Sequence, residues 1–111
     1  MAEINTKTTE EIISQTAAAA VLSVEAVGSM SSGPIVKPPK CYEIYKGIVL
    51  TEGKKHSYTI DIYMRIKYGE KIPQTAFAVQ ESVKAALDEI GGIEISSINI
   101  NIQGVDFPET D

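Results

Sequence analysis

The most regular stretch of the chain runs from Ser57 to Tyr68, where apolar and polar positions alternate without a break. Tyr58, Ile60, Ile62, Met64, Ile66 and Tyr68 fall on one side, and Ser57, Thr59, Asp61, Tyr63, Arg65 and Lys67 on the other. A period of two predicts a strand with one face on a core and one toward solvent. Ile98, Ile100 and Ile102, alternating with Asn99, Asn101 and Gln103, predict a second strand of the same kind. Ile44 to Thr51 is rich in β-formers, and Glu52-Gly53-Lys54-Lys55 supplies a turn that joins it to Ser57–Tyr68 as a hairpin. Ala2 to Asn5 reads as a short edge strand.

Two segments follow the helical period instead. Ile13, Ala17, Ala20, Val21 and Val24 predict a helix over residues 9–24, opened by the capping box Thr8-Thr9-Glu10-Glu11. Its four alanines, 17–20, point to close packing on a neighbour. Ala76, Val79, Val83, Leu87 and Ile90 trace a second helix, with Pro73 in its first turn and Gly91-Gly92 as its stop. Between the first helix and the hairpin, residues 28–41 hold Ser29, Ser31, Ser32, Gly33, Pro34, Pro38 and Pro39 and read as a flexible loop. Residues 1–111 thus form one α+β domain with a split β-α-β-β-α-β arrangement. Its sheet is antiparallel or mixed, with two helices on one face.

Composition narrows the class. A chain of 111 residues with 43% hydrophobic and 23% charged residues can build its own core. One cysteine, Cys41, cannot form an internal disulfide, which suits a reducing compartment. No run approaches the roughly 20 apolar residues of a membrane helix. The apolar run from Ala17 to Val24 follows Glu10 and Glu11 rather than a basic segment, so it does not read as a signal peptide. These features predict a cytoplasmic protein without direct membrane insertion.

The net charge of −5 argues against nucleic acid as a partner, but the charge is unevenly spread. Residues 37–71 carry eight Lys and Arg against four acids, and the remainder two against eleven, or +4 against −9. Solvated faces account for such a split. So would copies associating through opposite charge, or docking on an acidic partner.

Candidate chemistry is sparse. His56, the single histidine, sits in a basic turn without a nucleophile or an orienting group at hand. Cys41 has no second soft ligand near it, so neither a metal site nor a cofactor is expected. The carboxylate pairs Glu10/Glu11 and Asp88/Glu89 suit exposed helix positions, and no phosphate-binding glycine motif occurs. The chain reads as a non-enzyme. What remains is the polar side of the sheet: Thr59, Asp61, Tyr63, Arg65 and Lys67 on one strand, and Asn99, Asn101 and Gln103 on the other. These eight are the candidate partner-binding face, with plain solvation as the alternative. Tyr63 is its single aromatic, short of the stacking platform of an RNA-binding sheet.

Several segments resemble the alkaline shock protein family of bacterial envelope-stress proteins. They are Asp61-Ile62-Tyr63, Tyr68-Gly69-x-x-Ile72-Pro73-x-x-Ala76-x-x-Val79-Gln80-x-x-Val83, Gly92-Ile93-x-Ile95 and Ile98-Asn99-Ile100-x-Ile102-x-Gly104-Val105. Lys46-Gly47-Ile48-Val49 and Val24-Glu25-Ala26-Val27-Gly28 agree more loosely. The resemblance implies a cytoplasmic scaffold or adaptor of envelope or alkaline-stress homeostasis, without catalytic residues. It further implies a homo-oligomer, or docking on a protein partner such as a small membrane-anchor protein. Its alternative implication is a regulator of a fatty-acid or lipid-metabolism enzyme.

Overall fold

The computed structural model describes residues 8–108, and the strand expected over residues 2–5 lies outside them. The chain builds α1 (Thr9–Leu22), β1 (Val27–Met30), β2 (Cys41–Tyr45), β3 (Ile48–Glu52), β4 (Ser57–Lys67), α2 (Ile72–Asp88) and β5 (Glu94–Asp106). The α+β class stands, with both helices packed on one face of a five-stranded sheet. The element order among the described residues is α-β-β-β-β-α-β, so the split β-α-β-β-α-β reading is two strands short in its middle.

β4 is the spine of the sheet. One of its edges is shared end to end: β3 runs antiparallel to Tyr58–Ile62, and β1 runs antiparallel to Met64–Ile66. Its other edge takes β5 in parallel from Ser57 to Lys67. A parallel neighbour needs a crossover, and α2 supplies it. β2 folds back on β3 as the far strand.

Residues from Tyr58 to Ile66 are buried at every second position, as the alternation predicts. Tyr68 departs from the expected core face and is 64% exposed. The strand ends at Lys67, and Gly69 (φ +93°) turns the chain away. Tyr68 therefore passes the rim of the core and lies against Phe107, with ring centres 5.1 Å apart.

The strand expected over Ile44–Thr51 is two strands. The chain reverses at Lys46-Gly47, pairing Tyr45 with Ile48. Gly47 adopts φ +85° and has the carbonyl oxygens of Tyr63 and Ser31 where a Cβ would sit, so no other residue fits. The loop assigned to residues 28–41 is also partly strand. β1 claims its first residues, and Cys41 opens β2. The rest, residues 31–40, is a strap tied at its base by Glu43. That carboxylate accepts the N–H groups of Gly33 (3.0 Å) and Gly47 (2.9 Å) and pairs with Lys37 at 3.0 Å.

The core joins Ile13, Ala17 and Val21 of α1 and Val79, Val83 and Leu87 of α2 to Ile48, Leu50, Ile60, Ile62 and Met64 of the sheet. Each large side chain so buried contributes about 1.5–3 kcal/mol. The alanines of α1 let the helices approach until Ser82 Oγ donates to the Ala20 carbonyl at 3.1 Å. α1 begins at the expected cap Thr8, whose Oγ1 accepts the Glu11 N–H at 3.2 Å, and ends two residues before Val24.

Candidate functional site

The helices leave the second face of the sheet to the polar side chains, but that face is not open throughout. Val49 lies on it, in register with Asp61, and is only 3% exposed, with Gly33 of the strap close to its Cγ2 methyl. The uncovered part is the half built by β4 and β5. There Asp61 stands beside Asn99, Tyr63 beside Asn101, and Thr59 beside Ser97. Asn99 Nδ2 donates to Asp61 Oδ1 at 3.1 Å, and Asn101 Nδ2 reaches the Ile62 carbonyl at 3.5 Å. Lys67 and Asn99 are exposed, while Thr59, Asp61 and Asn101 are half-buried. Tyr63 is half-buried too. Burial raises its phenol pKa above the ordinary value, and the charge of Asp61 adds to the rise.

Gln103 takes a different position. Met64 pairs with Ile102 and Arg65 with Gly104, so Gln103 is the extra residue of a bulge. Arg65 is committed elsewhere: its Nε donates to Asp106 Oδ1 at 2.6 Å and a terminal nitrogen donates to the Val105 carbonyl at 2.8 Å. The other carboxylate oxygen of Asp106 accepts from Ser29 Oγ at 2.6 Å. One acidic side chain thus ties β1, β4 and β5 together. The hydroxyl of Ser29, then the Arg65 guanidinium, lowers the Asp106 pKa below its ordinary value.

Sequence reading missed this junction. The available signal was Gly104, a glycine within an alternating strand, which marks a bulge or a close approach. Here it is both, since a Cβ at Gly104 would strike the Arg65 guanidinium.

His56 and Cys41 are not brought together as a site. His56 is exposed in the short turn Lys54–His56 at φ +57°, and Cys41 is half-buried with Thr51 Oγ1 at 3.5 Å from its sulfur. Among the described residues no group of three or more His, Cys, Asp or Glu is placed to hold a metal ion. No helix among them is long and apolar enough to cross a membrane.

The model of the alkaline shock protein family, described as having a cell envelope-related function, matches residues 2–107. Among similar chains, the uncharacterized protein Spy1535 of Streptococcus pyogenes serotype M6 is 30% identical over 86 residues, which is 78% of this chain and 67% of that one. The uncharacterized proteins YqhY and YloU of Bacillus subtilis are 39% identical over 49 residues and 41% identical over 46. Those matches span 44% and 41% of this chain, but only 36% and 38% of the relatives' own lengths. No solved structure matches the chain. The family match runs through the strap, both helices and the β4–β5 face alike, and the chain belongs to the alkaline shock protein family, whose described function is related to the cell envelope.

Proposed function

We propose that the domain acts by binding and not by catalysis, as a scaffold or adaptor in cell-envelope and alkaline-stress homeostasis. In this reading it self-associates and docks on a protein partner, and any hold on the membrane comes through an anchor protein. The observation that supports it most is the uncovered β4–β5 half of the sheet. There Thr59, Asp61, Lys67, Asn99 and Asn101 lie on two paired strands, while Gly33 of the strap covers Val49 beside them. Polar side chains held on an open sheet face suit the polar contacts of a protein interface. Proton transfer and covalent catalysis need titratable groups gathered in a pocket, and His56 and Cys41 form no such group.

Complementation of a deletion strain tests the reading. A Cys41→Ser/His56→Ala variant should fold and restore the wild-type phenotype. A Thr59→Lys/Asp61→Lys/Lys67→Glu variant should fold and fail to restore it. Loss of function in the first variant, with the fold intact, would overturn the binding-only reading.

A further inference from the structure

Among the described residues β5 is a long edge strand that pairs only with β4. Tyr63 spends both its N–H and its C=O on the far edge of β4, with Gly47 and Ser31. Its neighbours Ile62 and Met64 therefore turn toward β5, where they meet the backbone of Asn99 and Asn101. That leaves the N–H and C=O groups of Ile98, Ile100 and Ile102 pointing out of the sheet. Gln80 agrees with this direction, since its side-chain amide donates to the Ile98 carbonyl at 2.9 Å where the N–H of a further strand would lie.

From Ile95 to Val105 this edge carries no charge, no lysine and no proline, the devices that keep exposed edges from pairing. Between the bulges at Ser96 and Gln103 it is regular. On the inner side a groove lined by Glu81, Lys84, Leu87, Ile95 and Ile98 lies between α2 and β5.

We infer that this edge pairs with the same edge of a second copy, antiparallel about a two-fold axis at Ile100, joining two sheets into one. The inference rests on the self-association proposed above and assigns it a surface. A two-fold partner is favoured because the edge is complementary to itself. Ile98 would exchange backbone hydrogen bonds with the partner's Ile102, and Ile100 with the partner's Ile100. On the outer face Asn99 would stand opposite the partner's Asn101, so no like charges meet along the seam.

The test is a charge pair at these two asparagines, read by sedimentation equilibrium and thermal melting. Asn99→Lys/Asn101→Lys places lysine opposite lysine across the axis and should weaken the dimer by about tenfold. Asn99→Lys/Asn101→Glu places lysine opposite glutamate and should restore it. Asp61 faces residue 99 in both variants, so they differ only at 101. Gln80→Ala, which removes the competitor for the Ile98 carbonyl, should tighten association. A wild-type chain that stays monomeric at all concentrations would overturn the inference together with the self-association it rests on. A dimer that is indifferent to both charge variants would overturn the inference alone and leave self-association through another surface standing. Weakening by both variants alike would overturn the antiparallel register and with it the two-fold pairing.

Discussion

Among the described residues β2 and β5 are both edge strands of this sheet, and they meet solvent in opposite ways. β2 spans five residues, is bulged where Glu43 and Ile44 oppose Val49, and is flanked by Lys40 and Lys46. Its one acid is occupied by the strap. Short length, a bulge and flanking lysines are the usual defences of an edge strand. β5 spans thirteen residues and has a regular, uncharged middle. Both edges belong to one sheet on one core, so the difference is not forced by the fold. An undefended β5 beside a defended β2 is what the proposed pairing of two copies requires.

The largest effect should come from the core on which both edges depend. Val83 is fully buried on α2, and Val83→Asp would place an unpaired carboxylate there. That costs several kcal/mol against a total stability of roughly 5–15. The variant should be unfolded by circular dichroism, and the two edges should lose protection from hydrogen exchange together. A retained thermal midpoint would mean that α2 does not pack inward.

Acid should separate the edges next, because each end of the sheet is held by a carboxylate with a lowered pKa. Burial pushes Glu43 up, but the N–H groups of Gly33 and Gly47 together with Lys37 outweigh it. Asp106 is held down by Ser29 and Arg65. A depressed carboxylate contributes stability that is complete above its unfolded pKa, near 4, and is lost as pH falls through the lower folded value. Thermal midpoints should therefore hold from neutral pH to about 5 and fall below about 4. Asp106→Asn should remove part of this acid dependence and loosen β1 with the end of β5. Glu43→Gln should instead speed exchange in residues 31–37 and leave β5 unchanged. If either variant loosened the opposite edge, the two anchors would not be independent.

The smallest change touches neither edge. Ser14 is fully buried on α1, and among the described residues its hydroxyl has no hydrogen-bond partner. Replacing a buried, unsatisfied hydroxyl removes a desolvation cost, so Ser14→Ala should raise stability by about 1 kcal/mol or less. A clear loss in chemical denaturation would reveal a partner for that hydroxyl.

Much of this architecture was legible in the chain, and what was not has physical causes. The alternation of β4, the stripe Val79, Val83 and Leu87, and the cap at Thr8 act locally, so pattern alone locates them. β1 and the β2–β3 turn escaped because their signals were masked. β1 is four residues within a serine- and glycine-containing stretch, and Gly47 sits inside a β-rich run. Alternation sorts Thr59, Asp61, Tyr63 and Lys67 to one side of β4, yet the bulge at Gln103 and the cover over Val49 depend on distant pairing and on the strap folding back, which no local pattern encodes. The Asp106 junction joins residues as far as 77 apart in sequence.

The proposed pairing makes β5, and not β2, the contact edge. Residue-resolved amide exchange at low and high protein concentration tests it directly. The amides of Ile98, Ile100 and Ile102 should gain protection as concentration rises, while those of Cys41–Tyr45 keep the same rates at both. Protection that stays constant at β5, or that rises at β2 instead, would contradict the account.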